Sequence, residues 1–193
     1  MEIPSRRIFG TACAAAIALA LISSPLLAKG GKAFLDSDDA KEANEPQKFL
    51  PDYDKLTKGK DADWVYFPEG SLKKYRTVSV KEFVENGRHD SKDAAREGKE
   101  YMEQWLEKAG FKLADKGAEL SFEGNVFSAS EHRRGAGWTP WGVGNSGVGL
   151  EVLVKDGSGK VVGEIRHKGN GSSLEDAVEN SLEEVAKAIQ DGR

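Results

Sequence analysis

Two segments carry apolar residues at helical spacing, and the runs between them alternate with period two. That combination constrains the fold more than any other feature of the sequence. In SSLEDAVENSLEEVAKAI, the residues Leu174, Ala177, Val178, Leu182, Val185, Ala186 and Ile189 recur at steps of three and four. Such steps place them on one face of a helix, which must be buried. Glu175, Glu179, Glu183 and Glu184 lie mostly off that face. Ser172 or Ser173 caps the start, and Glu175 or Asp176 completes a capping box while favouring the positive end of the helix. The helix is expected to end near Asp191 and Gly192. The second stripe is Ala94, Ala95, Met102, Trp105, Leu106 and Ala109, with Tyr101 beside it. Asp90 or Ser91 caps that helix, and Gly110 follows where a left-handed stop is needed.

The period-two runs predict strands. Trp64 to Phe67 is a short one, ended by Pro68 and Gly70. In YRTVSV, Tyr75 to Val80, the set Arg76, Val78 and Val80 alternates with Tyr75, Thr77 and Ser79, and the two valines favour burial of the first set. Phe111 to Leu113 reads as an edge strand. Ala118 to Ser128 places Leu120, Phe122 and Val126 on one parity, with a bulge expected at Gly124. Val148 to Lys155 and Val161 to Lys168 flank Asp156-Gly157-Ser158-Gly159, residues that tolerate positive φ, and so predict a hairpin. The fold class is α/β (α+β): a two-layer sandwich, a mixed sheet with both amphipathic helices on one face. A parallel crossover is expected where the strand before the first helix meets the sheet again.

The beginning of the chain predicts export. Arg6 and Arg7 precede an apolar stretch from Ile8 to Ala28, and Pro25 breaks it just before a cleavage point after Ala28. This is the pattern of a secretory signal peptide. Ser5-Arg6-Arg7-Ile8-Phe9 also has the look of a twin-arginine address, alongside the simpler reading of a general basic start. About 20 apolar residues can span a bilayer, so membrane association is expected only if this segment is retained. Cys13 is the only cysteine, and it sits inside that signal. A disulfide framework, a thiolate nucleophile and a Cys-rich metal site are thereby excluded from residues 29–193. Cys13 lacks the sequence context of a lipid attachment site. Residues 29–48 are charged and aperiodic and read as a tether. Residues 49–193 form a single α/β domain. The net charge of −4 becomes one unit more negative once Arg6, Arg7 and Glu2 are removed, which argues against a nucleic-acid partner.

FLPDYDKL (Phe49–Leu56), WVYFP (Trp64–Pro68), Lys74-Tyr75, the LEVLVKDGSGKVVGE hairpin and the last helix together resemble exported bacterial envelope proteins, many of them lipoproteins. The resemblance spans residues 49 to 190 and implies an envelope location and a compact sheet-plus-helices domain. It carries over no catalytic residues.

Gly142-Val143-Gly144-Asn145-Ser146-Gly147 fits the dinucleotide fingerprint, but a strand and not a helix is predicted to follow. The helix start that would hold a pyrophosphate is therefore missing. His89, His132 and His167 show no helical pairing, and His167, beside Arg166 and Lys168, reads as part of a solvated strand face. No metal, cofactor or catalytic set is assigned. The segment from Glu131 to Gly142 is different, because it gathers His132, Arg133, Arg134, Trp138 and Trp141 in a Gly-rich connection. Trp with Arg is the composition of binding hot spots. The competing reading is that the two Trp side chains close an end of the core. The function predicted is a non-catalytic interaction or assembly module of the cell envelope, with a protein partner or a glycan as occupant. The alternative is a glycan or small-ligand binding protein using the same Trp and Arg residues, and a hydrolase is a distant third.

Overall fold

The structure is a computed structural model that describes residues 49–70, 72–85, 92–131, 138–139, 142–143 and 146–191. A 3₁₀ turn at Tyr53–Lys55 leads into β1 (Thr57–Lys58), β2 (Trp64–Tyr66), β3 (Thr77–Val80) and β4 (Val84–Glu85). Helix α1 (Lys92–Lys108) follows, then β5 (Lys112–Leu113), β6 (Leu120–Ser130), β7 (Trp138–Thr139), β8 (Gly142–Val143), β9 (Ser146–Asp156), β10 (Val161–Gly171) and α2 (Leu174–Asp191). Among the described residues the main sheet has eight strands in the order β1-β2-β10-β9-β6-β3-β5, with β4 also pairing with β6. β6, β9 and β10 are antiparallel neighbours. β3 lies parallel to both β5 and β6, the parallel return expected of a strand followed by a crossover helix.

Both helices pack on the same face. Val78, Leu120, Phe122, Val126, Leu150, Val152, Val154 and Ile165 of the sheet join Ala94, Met102 and Leu106 of α1 in one core. Val178, Leu182, Val185 and Ile189 of α2 complete it. Each buried aliphatic side chain contributes about 1.5–3 kcal/mol relative to exposure. The two-layer α/β sandwich expected from the stripes is the architecture observed. Ser173 caps α2, its Oγ accepting the Asp176 N–H at 3.0 Å, and Asp90 and Ser91 lie outside the described residues. Val78 and Val80 are the buried pair of β3, as their alternation predicts. Gly159 takes a φ of +86° in the β9–β10 turn.

Two expectations are corrected. The bulge of β6 falls at Phe127, where the register shifts between Val126 and Ser128, and not at Gly124. Gly124 keeps its pairing with Val152 and is small for another reason. A Cβ there would lie 2.3 Å from Phe83 Cζ, and a Cβ at Gly98 would lie 2.6 Å from Phe83 Cδ2. The Phe83 ring therefore fits between β6 and α1 because both facing positions lack a side chain. His167 is not on a solvated face. It is 4 % exposed and shares the parity of Ile165, so it points to the helix side of the sheet.

The opposite face is covered over β2, β9 and β10 by the segment before β1. Leu50 and Leu56 pack with Leu153 in a second cluster, joined by Phe49, Tyr53, Trp64, Tyr66 and Val161.

Candidate functional site

The connection that the sequence singles out joins the two central strands. Ser130 pairs with Gly147, so its two ends leave the sheet side by side. Within it, β7 and β8 form a two-stranded sheet of their own, with Trp138 opposite Val143 and Thr139 opposite Gly142. Pro140 and Trp141 are the two residues joining them in sequence. The strands that carry this ribbon are long: β6 and β9 have 11 residues each, about twice the usual length. His132, Arg133, Arg134 and Trp141 lie outside the described residues, as does the side chain of Trp138. β9 begins inside the glycine fingerprint, at Ser146, and runs on to Asp156, so the strand expected after it is present.

The structure also builds a polar cluster that the sequence reading missed. It lies on the sheet face opposite the helices, along one row of the register. Asn125 of β6 opposes Glu151 of β9, Glu151 opposes Arg166 of β10, and Arg166 opposes Trp64 of β2. Glu151 and Arg166 are 2 % and 4 % exposed. Glu151 Oε1 accepts from Arg166 Nη1 at 2.5 Å and from the Tyr53 hydroxyl at 2.6 Å, and Oε2 accepts from Asn125 Nδ2 at 3.0 Å. The bulged residue, Phe127, stacks its ring 3.6 Å from the Arg166 guanidinium. Burial, and then the charge and hydrogen bond of Glu151, push the Tyr53 phenol well above its ordinary pKa. The phenol remains a proton donor to the carboxylate. A carboxylate with both oxygens taken by three donors and sealed from water anchors structure and offers no base to a substrate.

On the helix side, His167 lies between two carboxylates. Its Nδ1 is 3.1 Å from Asp63 Oδ2 and its Nε2 is 2.7 Å from Glu184 Oε2. Burial alone would raise the Asp63 carboxyl, but hydrogen bonds from His167 and the Lys168 N–H hold it below its usual range. This arrangement ties the β1–β2 hairpin and α2 to the centre of β10. Beside it runs a polar cleft of about 280 Å³ between β10 and α2, lined by Lys168, Asn170, Asn180, Glu183, Glu184 and Lys187. It offers no aromatic surface on which a sugar ring could stack. Among the described residues, no group of three or more His, Cys, Asp or Glu is arranged to hold a metal. None of the described helices is long and apolar enough to cross a membrane.

No family model matches the chain, and no curated protein matches it in sequence. Among solved structures it is similar to a single-substitution variant of PelC, a dodecamer from Paraburkholderia phytofirmans. That likeness has 19 % identity and a TM-score of 0.51, and covers 65 % of this chain and 95 % of that one. It is a likeness of fold. Weaker ones include a DUF4136 family protein from Bacteroides thetaiotaomicron, with 14 % identity, a TM-score of 0.36, and coverage of 65 % of this chain and 91 % of that one. Another is a lipoprotein from Neisseria meningitidis, with 10 % identity, a TM-score of 0.35, and coverage of 50 % and 83 %.

Proposed function

We propose that this chain is a non-catalytic interaction module of the bacterial cell envelope, exported by residues 1–28 and spaced from its attachment or cleavage point by residues 29–48. The segment 131–142 is its working surface. The observation that carries this reading is the β7–β8 ribbon, a second small sheet held between the two central strands and separate from the main one. The connection that contains this ribbon carries Trp138, Trp141, Arg133 and Arg134 in its sequence, the composition of a contact surface. In this reading the sealed polar cluster under residues 49–56 is structural, since its carboxylate is saturated by donors. A second copy of the chain belongs among the partners to test, because PelC, with the same fold, is a dodecamer. The alternative occupant of the same surface is an envelope glycan stacked on the two Trp side chains.

The test is one double variant, Trp138→Ala with Trp141→Ala, in two measurements. Capture of partners from envelope extracts should be lost, since central aromatic anchors carry about 2 kcal/mol or more each. Thermal unfolding should be nearly unchanged. A fall of several kcal/mol in stability, at about 3–5 for each buried aromatic removed, would make the two Trp residues core plugs and end this reading. Loss of sugar-induced quenching of Trp fluorescence, with protein capture intact, would favour the glycan.

A further inference from the structure

Residues 49–56 cover the outer face of the sheet without joining it. The backbone hydrogen bonds described within the segment are local, from Lys55 N–H to the Asp52 carbonyl and from Leu56 N–H to the Tyr53 carbonyl. It meets the sheet through side chains: Leu50 and Leu56 on Leu153, and the Tyr53 hydroxyl on Glu151. One further link is the Asp52 N–H, donated to Glu164 Oε2 at 3.1 Å. Glu164, on β10, has no exposed surface, and its Oε1 has no hydrogen-bond partner among the described residues. The cations close to it are otherwise engaged. Arg166 of β10 is held by Glu151 of β9. Lys55 is paired with Asp52 at 2.9 Å and lies over the ring of Tyr66, the β2 residue opposite Glu164. Asp52 and Asp54 on the covering segment add negative charge.

We infer that residues 49–56 form a strap that closes over the sheet while Glu164 is protonated and opens when it ionises. A buried carboxylate with one neutral donor is poorly solvated, and lifting the strap returns it to water. Burial, helped by Asp52 and Asp54, holds the Glu164 carboxyl above its ordinary range despite the Asp52 N–H and Lys55. A group whose pKa is raised in the closed state stabilises that state fully below its open-state pKa. The contribution fades as pH rises through the closed-state value. Opening therefore increases with pH, beginning at the ordinary carboxyl pKa that Glu164 has once the strap is lifted and levelling off at the raised closed-state value. What it uncovers is Leu153 with the Glu151–Arg166 pair, a face closed to partners at low pH.

Hydrogen exchange of the full chain, read by mass spectrometry against pH and corrected for intrinsic rates, tests the strap. The opening constant of peptide 49–56 should rise about tenfold per pH unit between the open-state and closed-state pKa values of Glu164, then level off. Peptides from α2, residues 174–191, should not follow. In Glu164→Gln the strap should stay closed and its exchange should lose the pH dependence. A flat profile in the natural chain, or an unchanged rise in Glu164→Gln, would overturn the proposal. If that variant does not fold, the ¹³C titration of the Glu164 carboxyl in the natural chain decides. Its upper midpoint must coincide with the levelling of strap opening, and a midpoint in the ordinary carboxyl range would overturn the inference.

Discussion

Glu151 and Arg166 illustrate how much one pair can set locally. Charged residues rarely occupy positions with almost no exposure unless they are paired, and here the pairing, the Asn125 amide, the Tyr53 hydroxyl and the Phe127 ring close around them. Removing one partner leaves the other charge buried and uncompensated. Arg166→Ala is expected to lower stability by about 3–5 kcal/mol, measured by urea unfolding. Replacing both, as Glu151→Leu with Arg166→Met, should cost much less, because two apolar side chains need no solvation. A mild effect of Arg166→Ala alone would show that water reaches the pair. Neither residue is conspicuous in sequence, since an isolated Glu in LEVLV reads as the solvated parity of an amphipathic strand. Finding them takes the register, and the register depends on a bulge.

That bulge lies at the start of β10, between Val161 and Gly163. Continued without it from Val161 opposite Lys155, the ladder would place Ile165 opposite Glu151. The extra residue places Ile165 opposite Val152 and Arg166 opposite Glu151. A one-residue slip exchanges the two faces of a strand, so this irregularity decides which side chains of β10 reach the core. The flanking alternation predicts a hairpin, and a hairpin is present. The position of its bulge is not written in the alternation, and the residue after it is closely packed: a Cβ at Gly163 would lie 3.0 Å from Phe67 Cε1 and 3.2 Å from Val154 Cγ2. The burial of His167 is hidden in sequence for the same reason, since neighbouring Arg166 and Lys168 suggest solvent wherever the register is not known. The helices were legible because a 3.6-residue stripe needs no partner to be recognised. Leu182 of α2 is fully buried, and Leu182→Ala should cost about 2–5 kcal/mol in thermal or denaturant unfolding. Glu183, paired with Lys187 at 2.7 Å on the outer side, should cost no more than about 0.5 kcal/mol when changed to Ala. Equal losses would mean the stripe does not face the sheet.

At the scale of the whole molecule, the chain divides its two sheet faces between different tasks. The helix side is a continuous apolar core, which accounts for the two-layer architecture. The outer side carries a sealed polar row under a strap, and the 131–145 connection leaves from one end of the central strands. The site proposed on that connection was legible as composition alone, because Trp and Arg in a Gly-rich stretch announce contact without stating its geometry. The address is likewise legible only as composition, and it can be measured directly. Residues 1–28 combine Arg6 and Arg7 with an apolar run ending at Ala28. Protein recovered from the envelope should therefore have an intact mass lacking those residues. A full-length species in the cytoplasm would reject export. The two export routes differ in their tolerance of lysine, since the twin-arginine address is read by a receptor. Arg6→Lys with Arg7→Lys should block transport by that route while keeping the positive charge that a general secretory signal needs. Unchanged processing of the double variant would assign the chain to the general route, in which it crosses unfolded and the strap closes over Glu164 only on the far side.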